Sequence, residues 1–470
     1  MAFFSSTHIF MVGIKGSGMS SLALYLHTIN AKVSGWDVDE VFTTDSELIK
    51  NSIPFSHTIP SRNSLSLVDY LIYSSAYTKN HPIISLAKEM GIPLYSYVEA
   101  LAQLTTHSPS FGVSGTHGKT TSVLSLHHML TRLSIPHSAI CGSSVIEELE
   151  AEMIDISDSS PLILEACEYQ DHFLNLHLKG LFITNVEYEH VDYFTDEEQL
   201  FSSFFSLIDN LPPHAPIICN RDERGIERII KYVEEQRNDI TLITYGKKDG
   251  NTITYSYPFR QSIYSLFIHQ LDSEYTSQVV GEKLISDQFG AALLAMMIIK
   301  ERVDLLFLGE LLNTLETFKG AKGRVQMIDT DSLPFFLYND YAHHPSEIRS
   351  SLHTIRLLHP ESAIILLFLP HTVSRMRALY DDFVSALSLC DTLCVFPVAT
   401  SARLDGTQRE AIEISTHLAH DCNGFYVENE MEAINFVSTV LHSKDVCITM
   451  GAGNTLILID LLLAIKELPV

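Results

Sequence analysis

Apolar residues in this chain come in short unbroken runs of strand length, each closed by a turn and followed by a stretch with helical spacing. The first run is His8-Ile9-Phe10-Met11-Val12, closed by the tight turn Gly13-Ile14-Lys15-Gly16-Ser17-Gly18. Residues 19–29 then read as a helix and 31–35 as a second strand, ending at Trp36-Asp37. Leu71-Ile72-Tyr73-Ser74-Ser75 repeats the pattern, with small polar residues at its carboxyl end. The chain restarts near Ser108-Pro109, and to about residue 320 apolar strands alternate with amphipathic helices. Pro161-Leu162-Ile163-Leu164-Glu165-Ala166-Cys167-Glu168 ends in two carboxylates. Leu181-Phe182-Ile183-Thr184-Asn185-Val186 leads into Glu187-Tyr188-Glu189-His190. Residues 251–280 alternate with period two (Thr252, Thr254, Ser256; Ser262, Tyr264, Leu266; Tyr275, Ser277, Val279), which predicts a small antiparallel meander. A helix is expected from about 286 to 300. Beyond 320, Phe335-Phe336-Leu337-Tyr338, Ile364-Ile365-Leu366-Leu367-Phe368 and runs near 393–398 and 446–450 predict a further sheet. Pro345 is placed to start a helix, and Gly451-Ala452-Gly453-Asn454 to open the last one.

At 470 residues, with 46% hydrophobic and 19% charged residues, the chain can bury two to four cores. The net charge of −26 argues against nucleic acid as a partner. The seven cysteines form no C-x-x-C pair. Cys390 and Cys394, one helical turn apart, read as packing residues, so the usage suits a reducing compartment. Met1-Ala2-Phe3-Phe4 lacks a basic, apolar leader pattern. No apolar run reaches the ~18 residues of a membrane span, and the best candidate, 456–465, carries Asp460. A cytoplasmic protein without membrane insertion is expected. Its oligomeric state, monomer or dimer, is left open.

The chemistry concentrates in Gly112-Val113-Ser114-Gly115-Thr116-His117-Gly118-Lys119-Thr120-Thr121. An apolar run, a glycine turn and a helix with Val123, Leu124, Leu126, Met129 and Leu130 on one face make a phosphate cradle. Lys119 would reach the outer phosphates and Thr120 would ligate magnesium. The strict P-loop pattern needs glycine at 113, which is Val; the glycine stands one place earlier. Thr120, Glu165 and His190 lie at or beyond neighbouring strand ends, where one Mg2+ or two close metals could be shared. The first turn lacks the third glycine of G-x-G-x-x-G, which would fall at Ser21. Asp37 stands near the spacing at which an acid meets a ribose.

A variant P-loop preceded by a glycine-turn domain and followed by an α/β domain resembles the Mur ligases over nearly the whole chain. The segment Gly115 to Thr121 is specific to that superfamily. His117 before Gly-Lys-Thr is similar to the branch acting on free UDP-N-acetylmuramate. The turn at Gly13 to Ser20, Tyr73-Ser74-Ser75-Ala76, Asp340-Tyr341-Ala342-His343-His344-Pro345 and Thr449-Met450-Gly451-Ala452-Gly453 match that branch as well. Glu165-Ala166-Cys167-Glu168-Tyr169, followed by Phe173-Leu174, resembles one alanine-adding subgroup. Ser286-Asp287 stands where the family often has His-Asn, Gly323-Arg324 replaces an Arg-Arg pair, and Thr372 follows Pro370-His371 in place of arginine. No lysine after Asp192 matches the carbamylated lysine of the later ligases.

The resemblance implies an α/β fold of three domains. These are a Rossmann-like UDP-binding domain (1–108), a central P-loop-type ATPase domain (109–322) with a mostly parallel sheet and a small meander, and a Rossmann-like amino-acid-binding domain (323–470). It implies ATP and Mg2+ as cofactors, and UDP-N-acetylmuramate and L-alanine as substrates. Gly115, Thr116, His117, Gly118, Lys119, Thr120, Thr121 and Arg324 would bind ATP. Gly13, Gly16, Ser17, Gly18, Met19, Asp37, Ser74 and Ser75 would bind the UDP-substrate. Tyr341, His343, His344, Arg375 and Arg377 would bind the amino acid, with Lys119, His190 and His344 catalytic. ATP would phosphorylate the muramyl carboxylate, and the alanine amine would attack the acyl phosphate. Three rivals remain: a recycling ligase adding a tripeptide to the same nucleotide, a dehydrogenase built on the first glycine turn, and a nucleotide-sensing scaffold with a decayed site. The intact Lys119, Thr120, Glu165 and His190 weigh against the scaffold.

Overall fold

The computed structural model describes residues 3–143, 159–190, 193–257, 265–328, 333–399, 407–451 and 455–465. Ser262, Tyr264, Asp192 and Ala452 to Asn454 lie outside them. Three sheets account for the apolar runs, giving the three-domain α/β architecture expected. The first is all parallel, in the spatial order Phe55–Ser56, Lys32–Trp36, His8–Val12, Tyr70–Tyr73, Leu94–Ser96. The chain order reverses beside His8–Val12, so its carboxyl end and that of Tyr70–Tyr73 open onto a switch point. The Ser74 N–H donates to the Val12 carbonyl there (2.9 Å).

The second sheet has nine strands. Ser110–Ser114, buried at all five positions, runs parallel between Leu162–Glu165 and Leu178–Ile183. That central place explains its lack of alternation: both faces are covered. Pro216–Asn220 and Thr241–Gly246 continue the parallel part. Ile253–Ser256, Ser265–Ile268 and Ser273–Thr276 form the expected antiparallel meander at one edge. The helix expected from 286 starts earlier, spanning Glu282–Lys300, and the first helix spans Ser17–Thr28.

The third sheet orders Gln326–Ile328, Phe336–Asp340, Val446–Gly451, Ile364–Leu369, Thr392–Val395, Phe425–Tyr426. It is parallel except for Gln326–Ile328, an antiparallel edge strand that the sequence pattern does not announce. Apolar cores cover both faces, one around Phe368, Ile448 and Phe383, the other around Leu367, Cys447 and Leu458. Cys390 and Cys394 do not share a helix. Cys394 lies in the Thr392–Val395 strand, and Cys390 lies past the Tyr380–Leu387 helix, each packing into a different core. All seven cysteines are free. Among the described residues no helix is long and apolar enough to cross a membrane.

The chain divides into two compact units. One comprises Met1–Glu189, Asp196–Val279 and Leu284–Lys319, and holds the first two sheets. The other comprises His190–Thr195, Val280–Lys283 and Gly320–Val470.

Candidate active site

The loop after Ser110–Ser114 is pinned from one side. Thr116 Oγ1 donates to the Glu187 carbonyl (3.0 Å) and accepts from the Glu187 N–H (2.8 Å). The His117 N–H donates to Asn185 Oδ1 (3.1 Å), and Asn185 Nδ2 donates back to the His117 carbonyl (3.2 Å). Gly118 caps the Lys119–Arg132 helix at φ +84°, and a Cβ there would stand 2.2 Å from Asp287 Oδ2. Glycine is required twice over, by conformation and by the carboxylate against it. Thr120 and Thr121 sit buried in the first helical turn, beside helix N–H groups that have no intrahelical acceptor.

Lys119 Nζ lies 3.2 and 3.1 Å from the two Glu168 oxygens and donates to the carbonyls of Gly115 and Thr116. Burial alone would lower its pKa. The charge of Glu168, with Cys167, Glu189 and the Glu168 hydrogen bond adding to it, more than offsets that and holds the ammonium above the usual lysine range. Glu168 and Glu189 are 1% and 5% exposed. Two buried carboxylates beside a lysine form a hard-oxygen set that suits Mg2+.

Glu165, expected as the metal-binding acid, is placed differently. It pairs in register with Val113, and its Oε1 accepts the Gly142 N–H (2.9 Å). It lines a cavity of about 150 Å³ with Ser17, Gly18, Tyr97, Cys167 and His172. The chain leaves the sheet after Glu165, where the Ala166 N–H donates to the Val113 carbonyl. The 3-10 segment Tyr169–Asn175 follows, and the acid three residues on is the one that reaches Lys119. Burial, then the Glu165 charge, pushes the Tyr97 hydroxyl up, and burial pushes the Cys167 thiol up to about 12. His190 follows Glu189 at φ +54°, its carbonyl accepting from the N–H groups of Tyr193 and Phe194.

In the first domain Gly13 has φ +81°, and a Cβ there would lie 2.7 Å from the Tyr77 ring. Gly16 caps the Ser17–Thr28 helix, Met19 is buried, and Gly18 packs under the Tyr97 hydroxyl. Ser74 Oγ accepts the Ala76 N–H, and Ser75 is exposed. Asp37, expected at a ribose, is 1% exposed. Its Oδ2 accepts the Lys15 N–H (2.8 Å), and its Oδ1 accepts from the Val38 N–H (2.9 Å) and the Tyr77 hydroxyl (3.2 Å). Here the carboxylate ties the glycine turn to the end of the second strand.

In the second unit the Arg324 guanidinium lies over the Tyr341 ring, 4.9 Å from its centroid. It is also 3.8 Å from Glu347. Glu347 Oε2 accepts the His343 N–H (3.0 Å). His344 caps the Pro345–Leu358 helix, its Nδ1 accepting the Ser346 N–H (3.3 Å). Arg375 is buried. Arg377 is instead engaged at the surface with Glu410 (2.7 Å), whose carboxyl that pairing and the Thr407 bonds hold down to about 2. Glu347 was missed in the sequence, although an acid three residues into a helix is a recognisable capping signal.

A lysine-threonine helix start behind a pinned glycine loop, at the head of a parallel sheet, defines a P-loop-type nucleotide-binding α/β protein. Comparison with known proteins narrows the class. Models of the Mur ligase family catalytic domain, middle domain and glutamate ligase domain match residues 8–108, 113–295 and 323–453. A UDP-N-acetylmuramate--L-alanine ligase of Borreliella burgdorferi is 34% identical over 97% of this chain and 98% of its own. One from Treponema pallidum is 30% identical over 96% and 95%. The fold matches the UDP-N-acetylmuramate-alanine ligase MurC of Thermotoga maritima (TM-score 0.76, 21% identity, 97% and 98% covered). It also matches a murein peptide ligase of Psychrobacter arcticus (TM-score 0.73, 16% identity, 98% and 100% covered). The chain belongs to the Mur ligase family.

Proposed function

We propose that this chain is an ATP-dependent ligase that joins L-alanine to UDP-N-acetylmuramate in peptidoglycan precursor synthesis, releasing ADP and phosphate. The observation that carries this is the full-length match, at 30% and 34% identity, to relatives named for that reaction. The Lys119–Glu168 cradle is the chemistry in this chain that suits it. The γ-phosphoryl group passes to the muramyl carboxylate, and the alanine amine then displaces phosphate from the acyl phosphate. Two anions must meet in the first step, so neutralising charge is the main demand. Lys119 and the helix N-terminus behind Gly118 meet the ATP phosphates, with Arg324 as a further cation. Thr120, Glu168 and Glu189 would hold Mg2+, with His190 beside Glu189 in sequence. The metal would supply further charge neutralisation on the phosphates.

We assign the uridine nucleotide to the turn Gly13 to Met19 with Ser74 and Ser75, and Asp37 to shaping that turn. Tyr341, His343, His344 and Arg375 would face L-alanine, with His344 positioned to take its amine proton. Domain boundaries at 1–108, 109–322 and 323–470 and a cytoplasmic location complete the reading. The test is ADP release with UDP-N-acetylmuramate present and each amino acid or the tripeptide L-Ala-γ-D-Glu-meso-diaminopimelate supplied in turn. L-alanine should give the fastest release, with glycine and serine poor because a methylene in a tight pocket is worth only about 1–3 kcal/mol. Faster release with the tripeptide would replace this reading with the recycling ligase.

A further inference from the structure

Lys15 stands in the middle of the first glycine turn, where a cation would be expected to meet a phosphate. It is instead 1% exposed. Its ammonium donates to the carbonyls of Val38 (3.3 Å) and Glu40, and lies 3.3 Å from Asp45 Oδ2. The rings of Phe42 and Phe55 flank it, with centroids 5.0 and 5.5 Å away. The Lys15 backbone is tied to the same segment. Its N–H donates to Asp37 Oδ2, and its carbonyl accepts the Thr44 hydroxyl (2.5 Å). Asp45 Oδ2 also accepts the Phe42 N–H (3.3 Å). Asp37, Val38, Glu40, Phe42, Thr44 and Asp45 thus all hang on this one residue. A buried ammonium persists only when its donors are matched, and carbonyls, a carboxylate and aromatic faces match them here.

We infer that Lys15 is a positioning residue for the uridine nucleotide: it clamps the 38–45 segment against the glycine turn and touches no phosphate itself. This rests on the assignment of that turn to UDP. With the clamp in place, the turn from Gly13 to Gly16 and the carboxyl end of Lys32–Trp36 are held as one preformed surface, so nucleotide binding need not order them. Without it, the carbonyls of Val38 and Glu40 and the Asp45 carboxylate lose their common donor, and the segment loosens.

The experiment measures UDP binding by calorimetry and steady-state kinetics for the wild type, Lys15→Met and Asp45→Asn. In Lys15→Met the Kd for UDP and the KM for UDP-N-acetylmuramate should rise about 10- to 100-fold. The kcat and the KM for ATP should stay within about twofold, the split expected of lost binding alone. Chymotrypsin should gain a cut at Phe42. Asp45→Asn decides between clamp and direct contact. A clamp weakened at either partner loses UDP affinity, whereas a lysine that binds phosphate would be released by Asp45→Asn and would bind UDP more tightly. Tighter UDP binding by Asp45→Asn, or unchanged binding by Lys15→Met, overturns the inference. If Lys15→Met does not fold, the sign of the Asp45→Asn shift still decides. Failure of the wild type to bind UDP would overturn the assignment of the turn, a different result from either.

Discussion

Two glycine turns in this chain each carry a lysine, and the two lysines are placed in opposite ways. Lys119 follows its turn as the first residue of the Lys119–Arg132 helix, with a side chain 14% exposed, and its counter-charge is Glu168. Lys15 lies inside its turn, with a side chain 1% exposed, and its acceptors are the carbonyls and carboxylate of the 38–45 segment. A lysine one residue past the last glycine is carried to the mouth of the cradle by the helix. A lysine between the glycines is held by whatever packs against the loop. Position within the turn, not residue type, separates the lysine proposed to meet phosphate from the one proposed to brace the loop.

The largest effect expected from breaking this contrast is at Lys119. Lys119→Ala should lower kcat for ADP release about 10³- to 10⁵-fold, in line with removing a cation that stabilises a phosphoryl transition state. Its UDP affinity should match the wild type, and its thermal transition should fall, because Glu168 is left buried without its counter-charge. Turnover within tenfold of wild type, about 1.4 kcal/mol, would assign phosphoryl transfer elsewhere.

A smaller effect separates the two acids. Glu168→Gln should raise the Mg2+ concentration needed for half-maximal activity about 10- to 100-fold. Glu165→Gln, whose carboxylate bonds the Gly142 N–H, should leave the Mg2+ titration in place and change the KM for UDP-N-acetylmuramate instead. The reverse pattern would restore Glu165 as the metal-binding acid.

Those two acids mark the limit of what was legible in the sequence. The strands, the P-loop and the glycine at 118 could be read because each imposes a local pattern: an apolar run, a turn, a helix start. That Glu168 lies against Lys119 while Glu165 bonds the Gly142 N–H follows from the path of the chain after Ala166, which local pattern does not encode. The acceptors of Lys15 lie more than twenty residues away, so the turn's own sequence does not show that its lysine is buried. Arg377 matched a family position, yet its nearest acid, Glu410, comes from a distant helix. The Gln326–Ile328 edge strand is only three residues long, too short to show a period.

Tyr341→Ala and His344→Ala should each raise the KM for L-alanine about tenfold, equivalent to about 1.4 kcal/mol, while leaving the KM values for ATP and UDP-N-acetylmuramate near wild type, and His344→Ala should lower kcat as well, as the loss of a proton acceptor requires. A matched rise in all three would mean that the residues hold the domain together rather than the amino acid.

The smallest effect compares the helices behind the two turns. The first carries His27, exposed; the second carries His127, whose Nδ1 lies 2.7 Å from His137 Nε2. Burial, with His137 and His128 adding to it, holds His127 down to about 3. An unfolded imidazole takes its proton near pH ~6.5. Between those values the unfolded chain binds the extra proton, so this group lowers stability as pH falls from about 6.5 toward 3. Denaturant midpoints at pH 7.5, 6 and 5 should decline less steeply in His127→Gln than in the wild type. Equal slopes in the two proteins would remove His127 from the acid response.

The most direct test of the proposed chemistry follows oxygen. UDP-N-acetylmuramate labelled with 18O in its lactyl carboxylate is turned over with ATP, Mg2+ and L-alanine, and the released phosphate is analysed by mass spectrometry. An acyl-phosphate route through the Lys119 cradle predicts one 18O atom in each phosphate. Phosphate without label, released together with the amide product, would contradict it.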